Sequence, residues 1–136
     1  MNKTKRKPNK NMSTKTAMIS QPMAGKTDEE IRLTKLGAEM HLAELGYEVV
    51  DTYFADEWLN EDKTKNKPVA FLAKSIEAMS RCDAVYFCAG WEKARGCRIE
   101  HEIAREYGLG IFDAKRRQYT LSASEELMEG LEEEML

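Results

Sequence analysis

Between Thr16 and Phe112, short apolar runs alternate with longer stretches of helical periodicity, and this alternation limits the chain to few architectures. Thr16-Ala17-Met18-Ile19-Ser20 reads as a first strand, and Gln21 to Lys26 as a loop containing Pro22 and Gly25. Thr27 and Glu30 have the spacing of a capping box, in which each side chain accepts the other's backbone amide. The helix they open carries Ile31, Leu33, Leu36, Met40, Leu42, Ala43 and Leu45 at mostly helical spacing, and Gly46 stops it. A second strand follows at Tyr47–Asp51, a helix from Pro68 to about Ser80, and a third strand at Asp83–Ala89. A helix over residues 97–107 ends at Gly108, and Leu109–Phe112 is the fourth strand. The order β-α-β-α-β-α-β predicts one α/β domain, a doubly wound parallel sheet of four to five strands, with right-handed crossovers. A last short strand is expected at Tyr119–Leu121, closing a domain over residues 16–121.

The flanks differ in composition. Lys3, Lys5, Arg6, Lys7 and Lys10 mark residues 1–15 as a flexible basic leader. Ser122 and Glu125 open an acidic C-terminal helix over 122–136. The opposite charges nearly cancel, leaving a formal net charge of -3, which argues against nucleic acid as the main partner. Residues 52–67 form a polar connection far longer than the usual ~4–6 residues, carrying the aromatic residues Tyr53, Phe54 and Trp58. It is expected to lie over the site.

Three cysteines (Cys82, Cys88, Cys97) without a Cys-x-x-Cys pair read as small buried thiols in a reducing compartment. Two scattered histidines supply no metal site. No apolar run approaches the ~20 residues of a membrane helix, and the basic N-terminus lacks a hydrophobic signal core. The expectation is a soluble cytoplasmic protein with no membrane partner, no metal and no cofactor.

Candidate chemistry gathers after the third strand, in Gly90-Trp91-Glu92-Lys93-Ala94-Arg95-Gly96-Cys97-Arg98-Ile99-Glu100-His101-Glu102. A carboxylate on a helix that follows a parallel strand lies where open α/β sheets bind ligands. Glu100 and Glu102 are two apart, so they point to different faces and cannot work as a matched acid–base pair. Glu100 reads as an ionised nucleophile near the positive end of the helix, or as an acid that only stabilises the helix dipole. Asp83 is a site carboxylate or a turn residue, and Trp91 a stacking wall or a core aromatic. Arg95 and Arg98, flanking Gly96, bind an anionic group or pair with surface charges. Gly25-Lys26-Thr27 imitates a phosphate loop, but Ser20 stands where that loop needs glycine and Pro22 removes an amide. Triphosphate hydrolysis is therefore set aside.

Three motifs in this order resemble the nucleoside 2-deoxyribosyltransferase-like superfamily, which includes nucleotide N-glycosidases, in particular a small bacterial and phage branch. They are Ile19-Ser20-Gln21-Pro22-Met23, Cys82-Asp83-Ala84-Val85, and Gly96-x-x-x-Glu100-x-x-x-Ala104 followed by Gly108. The resemblance runs from Met18 to Phe112 and implies a flavodoxin-like fold assembled as a homo-oligomer. It implies cleavage or transfer of an N-glycosidic bond in a small-molecule nucleoside or nucleotide, with Glu100 as nucleophile and Asp83 as the acid assisting the departing base. The substrate-contacting residues would be Ser20, Gln21, Pro22, Met23, Gly25, Gly90, Trp91, Arg95 and Gly96. The sequence departs from the family pattern at three places: Met18 replaces a tyrosine, Gln21 a glycine, and Ala94 a phosphate-binding serine. Those departures keep open a second reading, a non-catalytic module that binds or sequesters a nucleotide-like ligand.

Overall fold

A computed structural model of the chain describes residues 14–51 and 59–115 and the backbone of 118–120. The basic leader up to residue 13, the aromatic residues Tyr53, Phe54 and Trp58, and the acidic segment 122–136 lie outside the described residues. The elements are β1 (Lys15–Ser20), α1 (Asp28–Glu44), β2 (Tyr47–Val49), α2 (Lys67–Met79), β3 (Ala84–Phe87), a 3-10 turn (Trp91–Lys93), α3 (Arg95–Glu106), β4 (Gly110–Asp113) and β5 (Gln118–Thr120). β1 begins at Lys15, inside the stretch read as leader.

The described strands form one sheet in the order β2-β1-β3-β4-β5. β1 pairs in parallel with β2 and β3, and β3 with β4, whereas β5 runs antiparallel along β4. The fold is thus flavodoxin-like, with four parallel strands and an antiparallel edge. Strand order reverses between β1 and β3, and a crevice at the C-terminal ends of these two strands is the consequence. Ser20 and Phe87 are register partners at that end, and the Cys88 amide bonds the Ser20 carbonyl at 2.9 Å.

β3 and the centre of β1 are apolar on both faces because both faces are covered. Ala17, Ile19, Ala84, Tyr86 and Phe112 pack against Ala38 and Leu42 of α1. Met18, Val85, Phe87 and Ile111 point the other way, against Ala78 and Met79 of α2 and Ala104 of α3. Side chains alternate along a strand, so Ser20 shares the face of Met18 and is aimed at α2 and α3.

The capping box of α1 forms: Thr27 Oγ1 accepts the Glu30 amide at 3.1 Å and Glu30 Oε1 accepts the Thr27 amide at 2.9 Å. Only Ala38 and Leu42 of α1 are buried. Leu33, Leu36 and Met40 are 51%, 44% and 59% exposed. Their spacing of three and four residues makes a second apolar stripe on the outer face of the helix. α2 starts where the Asn66 side chain accepts the Val69 amide at 3.1 Å, with Pro68 in the first turn, where no amide donor is needed.

Candidate functional site

A crevice of about 590 Å3 opens at the C-terminal ends of β1 and β3. One wall is the chain leaving β1, from Ser20 to Ala24. A second is α2, through Pro68, Phe71, Leu72 and Ser75. The third is the start of α3, with Lys93, Ala94, Arg95, Gly96, Cys97 and Glu100. Ala94 carries no side chain able to cap α3, so the first-turn amides find no capping side chain. Gly96 has open space where a Cβ would stand. Arg95 is exposed at the rim.

Glu100 is buried at 8% exposure, and its Oε1 accepts the Ser20 hydroxyl at 2.6 Å. Ser75 places a second hydroxyl on the lining of the same crevice, where it favours the charged form of this carboxyl group. Burial pushes the Glu100 carboxyl above its ordinary value, and the two hydroxyls oppose that shift. The expectation of a solvent-facing carboxylate whose ionised form the helix-start amides favour is therefore corrected: the group is buried and shifted the other way. Glu100 stands in the second turn of α3, beyond the first-turn amides, and desolvation dominates. Glu102 points outward and pairs with Arg105 at 2.6 Å, as spacing two residues apart on a helix requires.

Cys97, one turn before Glu100, is a buried thiol whose pKa is raised by burial, with the Ser20 hydroxyl lowering it and Glu100 raising it. Burial pushes Cys88 up to about 12 and Cys82 up to about 11. All three are free, buried thiols, as the sequence implied. Among the described residues no cluster of His, Cys, Asp and Glu is placed to hold a metal.

Several expected site residues belong elsewhere. Asp83 lies at the opposite end of the sheet: its Oδ2 accepts the Thr16 amide at 2.8 Å and the Thr16 hydroxyl at 3.3 Å. Thr16 and Ser20 are four residues apart along β1, roughly 13 Å. A residue that begins a parallel strand sits at its N-terminal edge, whereas the crevice opens at the C-terminal edge. Asp83 and Glu100 thus do not share a crevice. Trp91 also turns away from it, stacking on His101 with centroids 4.0 Å apart and donating Nε1–H to Asp113 Oδ2 at 3.4 Å. It packs beside Phe87 as part of the core edge, so the stacking-wall assignment is corrected. Gly90, at φ +89°, makes the turn into Trp91, where a Cβ would stand 3.6 Å from Pro22 Cγ, and it does not line the crevice. Gly25, at φ +77°, likewise serves a turn and does not line it.

Ser20, Gln21, Pro22, Met23, Arg95 and Gly96 do line the crevice. Gln21 also braces the wall, because its Nε2 donates to the Ile31 carbonyl at 3.1 Å and ties the loop to α1. Arg98 donates to the Glu92 carbonyl at 3.0 Å and is not part of the wall. The α2 wall was missed by sequence reasoning. Its signal is the spacing Pro68, Phe71, Leu72, Ser75, one helix face on which a hydroxyl interrupts an apolar stripe.

No curated protein and no solved structure matches the chain. With residues 15–113 matched, from the first strand to the last residue of β4, the chain belongs to the family described as a domain of unknown function, DUF4406.

Proposed function

We propose that this protein cleaves or transfers the N-glycosidic bond of a nucleoside or nucleotide, with Glu100 as the nucleophile. The observation that carries this reading is the buried Glu100 carboxyl, held by Ser20 at 2.6 Å on the wall of a crevice large enough for such a ligand. In the ionised form, one Glu100 oxygen attacks the anomeric carbon. The bond from that carbon to the base nitrogen breaks, and the base leaves with the electron pair and takes up a proton from water. A water molecule or an acceptor base then attacks the glycosyl ester, displacing Glu100. The low-dielectric surroundings strengthen the attraction between the carboxylate and the positive charge developing on the sugar. Pro22, Met23, Phe71 and Leu72 offer apolar surface to a base, and Lys93 and Arg95 offer positive charge to an anionic substituent.

The test is release of free base from a mixed panel of nucleosides and nucleotides by wild type and Glu100→Gln. Base release by wild type that the variant lacks supports the reading. Equal release by both removes Glu100 from the chemistry.

A second reading, a non-catalytic module for a nucleotide-like ligand, has one observation in its favour. Glu100 is the only carboxylate among the described residues that line the crevice, and Asp83 is not available to protonate a departing base. Ligand binding without base release by wild type separates it from the first. We further propose a homo-oligomer, supported by the outer apolar stripe of Leu33, Leu36 and Met40. Light scattering on the purified chain tests it, and a monomeric mass at high concentration overturns it. Among the described residues no helix is long and apolar enough to cross a membrane.

A further inference from the structure

We propose that Ser20 and Ser75 are positioning residues, two hydroxyls from separate elements that hold the Glu100 carboxylate in its attacking orientation. The inference rests on the reading of Glu100 as nucleophile and adds to it the groups through which the fold aims it.

A glutamate side chain has three rotatable bonds, and a crevice wall leaves them partly free. Fixing one oxygen toward an anomeric carbon requires contacts from more than one direction. Ser20 supplies one from β1, a strand buried on both faces, where the residue is only 3% exposed. Its direction is set by alternation: Met18 and Ser20 share a face, and that face looks onto α3. Ser75 faces the same crevice from α2, on the helix face that also carries Phe71 and Leu72 into it, and is placed to supply the other. The carboxylate thus lies between the strand that bonds it through Ser20 and the α2 wall that presents Ser75. Serine suits this role because its hydroxyl rotates, donating to the carboxylate and accepting from the neutral acid. The contacts persist through a change of protonation. Their effect on charge follows: each donated hydrogen bond favours the anion that burial disfavours.

The experiment uses the full-length chain and two readouts. The first is turnover on the best substrate of the nucleoside and nucleotide panel, with its pH profile, for wild type, Ser20→Ala, Ser75→Ala and Ser75→Thr. Loss of either hydroxyl lowers kcat about ten- to a hundredfold with little change in KM. It also moves the acidic limb of the profile to higher pH, and Ser75→Thr, which keeps a hydroxyl, restores both. The second readout needs no activity. The side-chain carboxyl of 13C-labelled glutamate is titrated by NMR, the Glu100 signal being assigned by its loss in Glu100→Gln. Its midpoint rises in Ser20→Ala and in Ser75→Ala. An unmoved or lowered midpoint in both variants overturns the positioning role, whatever the turnover. A rise in the midpoint with no turnover by wild type supports the two hydroxyl contacts and overturns the glycosidic reading alone. Should Ser20→Ala fail to fold, Ser75→Ala carries the same decision.

Discussion

Glu100 and Asp83 are both carboxylates beside β3, and the sheet sends them to opposite ends. Asp83 precedes the strand and accepts two hydrogen bonds from Thr16, in an exposed position where its work is to join β1 to the turn before β3. Glu100 follows the strand, lies buried, and faces a crevice with a hydroxyl at 2.6 Å. Burial without a cationic partner raises the free energy of the charged form, and a fold tolerates that only where something else is gained. What separates the two acids is therefore their place on the parallel sheet: one edge joins elements together, and the other leaves a gap between them.

The sharpest way to break this contrast is to neutralise each acid in turn. Glu100→Gln should reduce turnover by on the order of 10^3 or more while retaining ligand binding, since an amide cannot act as the nucleophile. Its melting temperature should match or exceed that of wild type, because a desolvated carboxyl is replaced by a neutral group of the same shape. Turnover and ligand titration on one preparation, with a thermal melt alongside, check these outcomes.

Protons supply the next contrast. The folded-state pKa of Glu100 lies above its ordinary 4.5, so the native state holds that proton more tightly than the unfolded chain. The stabilisation by this group is complete below about 4.5 and is lost as pH rises through the raised value. Turnover should move the opposite way, rising as Glu100 ionises. The difference between wild type and Glu100→Gln in denaturant unfolding across that window isolates the effect. Exposed pairs such as Glu77 with Arg81, whose carboxylate is shifted downward by its hydrogen bond to Arg81, are common to both proteins and cancel.

Asp83→Ala should do the reverse of Glu100→Gln. It removes the acceptor of the Thr16 amide and should lower stability by about 1 kcal/mol with turnover per folded molecule unchanged. A large loss of turnover without loss of stability would return Asp83 to the site. The smallest effect belongs to Glu102→Gln, two residues from Glu100 in sequence but paired with Arg105 in solvent. Melting and turnover should both stay within measurement error of wild type.

The fold was largely legible because its signals are local. Capping at Thr27, the helix opening at Pro68, the stop at Gly46 and the apolar runs within β1 and β3 each follow from a few adjacent residues. The direction of β5 was not legible, since parallel or antiparallel pairing at an edge depends on the connection rather than on the strand. For the site, Glu100 was legible from its place after a strand. Its burial was not, because that depends on α2 packing across the crevice. Ser75 escaped for the same reason: a lone serine on an amphipathic helix has no distinguishing mark until the facing element is known. Trp91 shows the converse, an aromatic next to a glycine whose partners, His101 and Asp113, lie ten and twenty-two residues further on.

Ser20 and Glu100 are 80 residues apart in the chain, and Ser75 lies between them. No fragment containing only one crossover unit can bring the three together, so the constellation has no local precursor during folding. It forms only when α3 has docked over β1 and β3, among the long-range events that are slow in parallel sheets. The same dependence holds for the native molecule: an opening that undocks α3 disperses the whole constellation.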